Sequence, residues 1–311
     1  MLSSRKQCFE WVDHRKKRRS FYTYVAFTDQ TETEYDEDVT EYKQLVNVLK
    51  ERNLGEGVSL KLQQFGNTKE DQRRRLEDVV RHCRSKEIRC ILSAFLPDER
   101  RYELETYLSL KKTYSGPVLG LCLAADANDW QDQIEAVAHV MACGGWIRWV
   151  KGGWYKGKTS VSHWKLISKR FAAMSLVLMY HSVECNRGHM IATHDKRVVS
   201  LLKDNTPSEK DGITILVSYG TYRIRPSDDA EVGMFYGKHV PFVLESLRVA
   251  SLTNLFLRVT HLRLIGVPRP TVANLKEDVQ EVMRTMMKYP TLNAWLKRSE
   301  LNRIFSDSSR L

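Results

Sequence analysis

Two periods of apolar and polar positions follow each other along the first half of the chain. Short apolar or β-branched runs predict strands at residues 21–28, 58–65, 88–96 and 117–124. Between these runs, apolar residues recur three and four positions apart, which predicts helices over residues 36–53, 68–86, 97–110 and 129–141. This alternation argues for a mostly parallel sheet with helices on both faces. The sequence therefore predicts an α/β fold that begins with a Rossmann-like domain.

The second half of the chain is less regular. Helical spacing covers residues 165–180, about 240–262 and 272–288, and a strand is predicted at 213–219. This pattern predicts a second, more helical α/β half. The predicted organisation is a basic N-terminal arm over 1–20, a Rossmann-like domain over 21–145, and a basic, aromatic segment with a second domain over 146–311.

Composition bounds the class of protein. Hydrophobic residues make up 42% of the chain, so a core can form. No window approaches the ~18 consecutive apolar residues of a membrane helix, and the N-terminus lacks the apolar region of a secretory signal. The six cysteines are scattered, unlike a disulfide framework. We expect reduced thiols, a cytoplasmic or nuclear location and no membrane partner.

Positive charge is unevenly distributed. The formal net charge is +11, and Arg15 to Arg19 read RKKRR. Such a run is typical of a nuclear localisation signal, a phosphate-binding arm or a solvated tail. Seven carboxylates and no lysine or arginine follow between Asp29 and Glu41. The acidic block could pair with the arm and partly mask it.

The segment from Ala136 to Val183 contains no acidic residue. Its basic and aromatic residues are interleaved, which is typical of surfaces that neutralise phosphates and stack on unpaired bases. The alternative is a core tryptophan cluster flanked by solvated lysines, since indoles are usually at least partly buried. The nucleic-acid-binding residues predicted here are Arg148, Trp149, Lys151, Trp154, Tyr155, Lys156, Lys158, Trp164, Lys165, Lys169 and Arg170.

Residues 152–159, GGWYKGKT, fit the pattern of a phosphate-binding P-loop. The residues of this phosphate loop would be Gly152, Gly157, Lys158 and Thr159, with Thr159 on Mg²⁺. Bulky residues fill the variable positions of this pattern. Neither of the later apolar runs, SLVLMYHS and ITILVSYG, ends in the aspartate that would complete a magnesium site. A nucleotide-binding or nucleotide-hydrolysing enzyme is therefore an alternative rather than the main interpretation.

Three histidines and a cysteine follow at short spacings. The set is His181, Cys185, His189 and His194, whose imidazole and thiolate groups suit zinc. Strong zinc signals contain paired cysteines two residues apart, and this segment has none. The alternative is a group of ordinary core or surface residues. We expect no cofactor, with Mg²⁺ or Zn²⁺ as the alternatives.

Three stretches resemble the MID and PIWI lobes of the Argonaute/Piwi family. ILSAFLPDERRYELETYLSL looks like the MID strand and its tyrosine-containing helix, and PVLGLCLAADANDWQDQIEAVAHVMACGG like the strand and helix that follow. ITILVSYGTY and VGMFYGKHVPFVLESL are similar to a PIWI strand, loop and helix. Over residues 20–260, the resemblance implies a degenerate relative of this family.

This sequence departs from the family at the functional positions. Tyr102 matches the phosphate-binding tyrosine, but Glu105 and Ala142 fall at lysine positions. Leu178 and Gly220 fall where the nuclease has metal-binding aspartates, so the resemblance implies no RNA cleavage. The sequence thus predicts a non-catalytic nucleic-acid-binding protein with RNA as its partner. A nucleotide-hydrolysing enzyme and a protein-interaction module are the alternatives.

Overall fold

A computed structural model describes most of the chain. The described residues are 20–24, 30–53, 57–93, 99–125, 130–151, 161–193, 195–205, 214–218, 231–236 and 270–306. The strands are β1 (Ser20–Tyr24), β2 (Gly57–Leu60), β3 (Arg89–Leu92), β4 (Leu119–Ala124), β5 (Trp146–Val150), β6 (Met190–Ala192), β7 (Thr214–Ser218) and β8 (Glu231–Tyr236). The basic arm over 1–19 and the predicted helix over 240–262 lie outside the described residues.

A helix follows each of the first six strands, and three more helices lie between residues 276 and 306. They are α1 (Glu32–Arg52), α2 (Lys69–Lys86), α3 (Arg100–Thr113), α4 (Trp130–Ala142), α5 (Val161–Cys185), α6 (Lys196–Asn205), α7 (Lys276–Met286), α8 (Pro290–Leu296) and α9 (Glu300–Ser306). Within the described ranges, no helix combines the length and the apolar character that crossing a bilayer requires.

The strands pair in parallel and in chain order. β1 pairs with β2, β2 with β3 and β3 with β4, while β5 pairs with β6 and β7 with β8. β8 also pairs with β1, with Ser20 opposite Val232, so the strand order is that of a closed barrel. The predicted α/β fold with a parallel sheet is confirmed. The return of β8 to β1 was not predicted.

The chain divides into two compact units. Unit 1 comprises residues 1–122 and 216–249, and unit 2 comprises residues 123–215 and 250–311. The sequence-based boundary at residues 145 and 146 remains a prediction.

Capping and one buried arginine explain how α1 and α2 form and pack in unit 1. Thr31 and Glu34 form a capping box at the start of α1, and the Thr68 hydroxyl accepts a hydrogen bond from Asp71 N at the start of α2. The buried Arg75 of α2 donates to Glu32 Oε2 at 2.6 Å and to Asp36 Oδ1 at 2.7 Å. The acidic block therefore caps α1 and joins it to α2.

The predicted strand over 58–65 is wrong in its second half. Strand β2 ends at Leu60, and residues Leu62–Phe65 form a 3₁₀ turn. Gln64 is buried there and accepts a hydrogen bond from the Tyr42 hydroxyl at 2.7 Å. Gly66 ends the turn with φ +148°, where an added Cβ would lie 2.8 Å from Asp71 Cβ. The alternating sequence fits a strand, but these contacts outweigh its local preference.

Unit 2 packs its helices around a cluster of aromatic rings. Trp149 of β5 is fully buried and lies parallel to Phe171 of α5, with ring centroids 6.3 Å apart. Its Nε1 donates to the Phe171 carbonyl at 3.2 Å, and Trp130 of α4 lies 6.4 Å away. These contacts hold β5 in position, and with it Lys151, the residue that follows the strand.

Candidate functional site

Polar side chains of unit 2 follow the carboxyl ends of β5 and β6. Val150 and Ala192 are opposite each other in the pairing of these strands, so the next residues, Lys151 and Thr193, leave the sheet at the same edge. Ala125 N donates to the Val150 carbonyl at 2.9 Å, which ties the segment after β4 to this edge. In parallel barrels, the carboxyl ends of the strands are where catalytic and binding residues lie. This edge is therefore the candidate functional site.

Asp195 is the buried centre of this group. Its Oδ1 accepts hydrogen bonds from Arg197 N at 3.1 Å and Arg197 Nε at 3.0 Å, and its Oδ2 accepts one from Arg197 Nη2 at 2.8 Å. Its own N–H donates to the Thr193 hydroxyl oxygen at 3.0 Å. Burial raises the pKa of Asp195, but the hydrogen bonds and charge of Arg197, with the charge of Lys151, lower it to about 2. The carboxylate is therefore ionised at neutral pH.

The group suits an anionic ligand. Lys151 and Arg197 are partly buried cations whose charges both act on the buried Asp195 carboxylate. Asp195 immediately precedes α6 and accepts from the N–H of its second residue, so it caps that helix as well as orienting Arg197. Held cations next to a helix N-terminus are well matched to carboxylate or phosphate oxygens.

The predicted base-stacking role of Trp149 is wrong. The side chain is fully buried, stacked on Phe171 and hydrogen-bonded through its indole N–H. A base would have to displace the core of unit 2 to reach it. Trp146 is buried as well. The alternative interpretation of a core tryptophan cluster is the one that describes both residues.

The basic residues of α5 contact other side chains of unit 2. Lys169 Nζ lies 2.7 Å from Asp278 Oδ2, and the Arg170 guanidinium carbon lies 5.2 Å from the centroid of the Trp130 ring. Arg148, Lys151 and Lys165 are partly buried. Of the remaining predicted nucleic-acid contacts, Trp154, Tyr155, Lys156 and Lys158 lie outside the described residues, as does the P-loop-like segment with Gly152, Gly157 and Thr159. For Trp164, only the helical backbone is described.

Two of the four candidate zinc ligands, His181 and His189, form a hydrogen-bonded pair. His181 Nδ1 and His189 Nε2 are 2.8 Å apart, and His189 Nδ1 accepts from Ile147 N at 3.0 Å. Cys185 is partly exposed, and His194 lies outside the described residues. Across the ranges that the structure describes, no group of three or more histidine, cysteine or acidic residues could hold a metal ion. Three ring nitrogens of the pair face hydrogen-bond partners rather than a metal.

Sequence reasoning missed Thr193, Asp195 and Arg197. Strand β6 has three residues, which is too short for a visible alternating pattern. The available signal was an aspartate directly before a helix of apolar and basic residues, which is typical of an N-cap. The histidines beside it, His189 and His194, favour a metal site instead.

Comparisons with known proteins give one consistent result. No protein-family model and no curated protein matches the chain. Among solved structures, proline utilization A from Bdellovibrio bacteriovorus, inactivated by N-propargylglycine, matches with a TM-score of 0.68 and 15% identity, covering 90% of this chain and 34% of that one.

Two further matches agree with the first. A Bradyrhizobium japonicum proline utilization A mutant has a TM-score of 0.62 and 16% identity over 90% of this chain and 33% of its own. The Corynebacterium freiburgense protein has a TM-score of 0.60 and 15% identity over 93% and 32%. The chain thus spans about one third of the length of the solved structures that it matches.

These findings correct the main functional expectations. The resemblance to Argonaute lobes is wrong, because the matched structures are proline utilization A proteins. The interpretation as a non-enzymatic RNA-binding protein is wrong for the same reason, and the buried Trp149 agrees. The expectation that no cofactor takes part is contradicted by the same matches. At these identities the matches show the fold alone, which this chain shares with about one third of each matched structure.

Proposed function

We propose that the chain is an oxidising enzyme of the proline dehydrogenase type, which binds a small amino acid of the proline class at the carboxyl edge of its barrel and uses FAD. The single observation that carries the proposal is the Lys151–Asp195–Arg197 group beyond β5 and β6. Support comes from a fold shared with proline utilization A over 90% of the chain. Because the chain spans 34% of that protein, only one of its activities is proposed.

The charges at this edge fit both ligands. An amino acid brings a carboxylate, and FAD, the cofactor typical of proline dehydrogenase domains, brings a pyrophosphate. Lys151 and Arg197 are the cations that would hold one of these anions, and the N-terminus of α6 adds a favourable dipole. When bound, FAD supplies the oxidant that accepts two electrons and a proton as hydride from the carbon beside the substrate nitrogen.

The residues of the chain orient and select the ligand. Asp195 holds the Arg197 guanidinium through two hydrogen bonds and the Arg197 backbone N–H through a third, so the cation is fixed before the ligand arrives. Pre-organised charge costs little reorganisation at the moment of binding. Lys151 contributes a second charge from the neighbouring strand end. Ligands that carry a carboxylate or phosphate group are therefore favoured over ligands of the same size that lack one.

Steady-state oxidation by Lys151→Met protein tests this assignment. The assay follows reduction of an artificial electron acceptor with L-proline as substrate and FAD in excess. Loss of one charge-assisted contact lowers kcat/KM by about tenfold to a hundredfold. Lys288→Met is the matched control, because Lys288 is an exposed lysine of unit 2 whose Nζ lies 3.9 Å from Glu135 Oε1.

Two outcomes contradict the proposal. If the unmodified chain oxidises neither L-proline nor related cyclic or small amino acids with FAD present, the assignment as an oxidising enzyme fails. If turnover occurs but Lys151→Met and Lys288→Met behave alike, the site at the ends of β5 and β6 is wrong.

A further inference from the structure

Two buried histidines of unit 2 form a relay between β5 and α5. His189 precedes β6, and its Nδ1 accepts a hydrogen bond from the backbone N–H of Ile147 in β5 at 3.0 Å. Its Nε2 lies 2.8 Å from Nδ1 of His181 in α5. Both side chains are buried, and the backbone N–H of His189 donates to the Ser182 hydroxyl oxygen at 3.2 Å. This relay lies outside the group of residues at the carboxyl ends of β5 and β6.

The backbone donor fixes the protonation of both rings. Because Ile147 N–H donates to His189 Nδ1, that nitrogen carries no proton. The neutral His189 ring therefore has its proton on Nε2 and donates to His181 Nδ1, which must also be unprotonated. A proton added to either Nδ1 would replace one of these hydrogen bonds with two opposed N–H groups. The relay is complete only when both histidines are neutral.

Side chains from the C-terminal helices cover the relay. The ring of Trp295 in α8 meets the His181 ring edge to face, with centroids 4.7 Å apart. Trp295 Nε1 donates to Glu184 Oε2 at 2.7 Å, and Glu300 N in α9 donates to Glu184 Oε1 at 2.9 Å. The end of α5 thus holds both α8 and α9, and His181 lies beneath them.

Burial and one nearby positive charge oppose the protonation of His181 when α8 and α9 are docked. Burial, and to a smaller extent the positive charge of Arg187, lower the pKa of His181 to about 4. The charged groups in this part of unit 2 are Glu184 in α5 and Glu300 in α9, which both act on the buried Tyr180, and Arg187 after α5 and Arg298 between α8 and α9, which both act on Cys185. Both Glu184 oxygens accept hydrogen bonds from α8 and α9.

The geometry points to a pH-sensitive latch in which the neutral His181–His189 pair holds the α8–α9 segment on α5 and releases it when the solution becomes acidic. Undocking exposes His181 to water, where a histidine titrates near pH 6.5. Its pKa is lower when docked, so the open state binds more protons. Docking is therefore strongest above about pH 6.5, weakens as the pH falls and levels off below the docked pKa of about 4.

Hydrogen exchange of the full chain, measured from about pH 7.5 to pH 5, tests the latch. Protection factors, which correct for the intrinsic pH dependence of exchange, are compared for the amides of α8 and α9. Below about pH 6.5 they fall by about tenfold per pH unit, the limit for one coupled proton. Amides of α2 serve as the internal reference and keep their protection over the same range.

Two histidine variants separate the latch from general acid sensitivity. In His181→Gln, the side-chain carbonyl still accepts from His189 but does not titrate, so the fall in protection is at least fivefold smaller per pH unit. His139→Gln is the control, because His139 is exposed and contacts Tyr289 at the start of α8. It retains the pH dependence of the unmodified chain. Equal slopes in the unmodified chain and His181→Gln overturn the latch.

A spectroscopic measurement keeps the test independent of whether His181→Gln folds. Long-range ¹H–¹⁵N spectra of the unmodified chain at neutral pH report which ring nitrogen of each histidine carries the proton. His181 and His189 both show the neutral tautomer protonated at Nε2. A charged ring or an Nδ1-protonated tautomer at either position contradicts the relay, as does protection of α8 and α9 that is unchanged down to about pH 5.

Discussion

At the scale of single residues, Trp149 is a core side chain of unit 2, fully buried and hydrogen-bonded to the Phe171 carbonyl. Arg148, Lys151 and Gly152 lie within three positions of it in the sequence, which favours a surface role, yet its ring is buried against Phe171. Composition identifies an aromatic, basic segment but does not fix which ring points inward. That direction depends on the pairing of β5 with β6 and on the packing of α5. The alternative of a core tryptophan could be stated from sequence, but deciding between the two required tertiary contacts.

The buried position of Trp149 predicts a large loss of stability on truncation. Trp149→Ala removes the ring and its hydrogen bond to Phe171 O, and lowers the free energy of unfolding by about 3–5 kcal/mol. Urea denaturation of the variant and of the unmodified chain measures the difference. Leu166→Ala is the control, since Leu166 is exposed on α5 and its loss changes stability by about 0.5 kcal/mol or less. Equal effects of the two substitutions would place Trp149 outside the core.

At the scale of secondary-structure elements, helix-capping residues can be identified from the sequence, but their long-range partners cannot. The helix predicted over residues 68–86 is confirmed as α2, and Thr68 caps it. The start of α1 was predicted four residues late, because the acidic block was interpreted as a partner for the basic arm. Thr31 and Glu34 in that block form the capping box of α1. The signal was present, but its long-range partner Arg75 could not be identified from sequence.

The capping box of α1 predicts a measurable contribution to stability. Thr31→Ala removes the side-chain acceptor for Glu34 N and the hydroxyl that donates to Glu34 Oε2, which costs about 1 kcal/mol. Thermal unfolding monitored by circular dichroism detects the change. Thr40→Ala provides the comparison, because Thr40 is exposed inside α1, where alanine is the better helix former. A Thr31→Ala protein as stable as Thr40→Ala would argue against a functioning cap.

At the scale of the whole molecule, the α/β class followed from sequence and the barrel connectivity did not. The alternating strands and helices of the first half predict a parallel sheet, and β2, β3 and β4 form one. The closing pair, β1 with β8, joins residues more than two hundred positions apart. Local periodicity carries no information about such a pairing. The candidate site was the part that the sequence predicted least well, because its residues follow β5 and β6, which lie side by side only in the folded sheet.

Direct observation of the cofactor during one turnover tests the central claim. The purified chain is loaded with FAD, freed of excess, made anaerobic and mixed with L-proline while the flavin absorbance is recorded. If the barrel edge with Lys151, Asp195 and Arg197 holds the ligands of an oxidising enzyme, FAD stays bound and its visible absorbance bleaches as the substrate is oxidised. A chain that retains no FAD, or whose bound FAD stays oxidised with L-proline and with other small amino acids, contradicts the account.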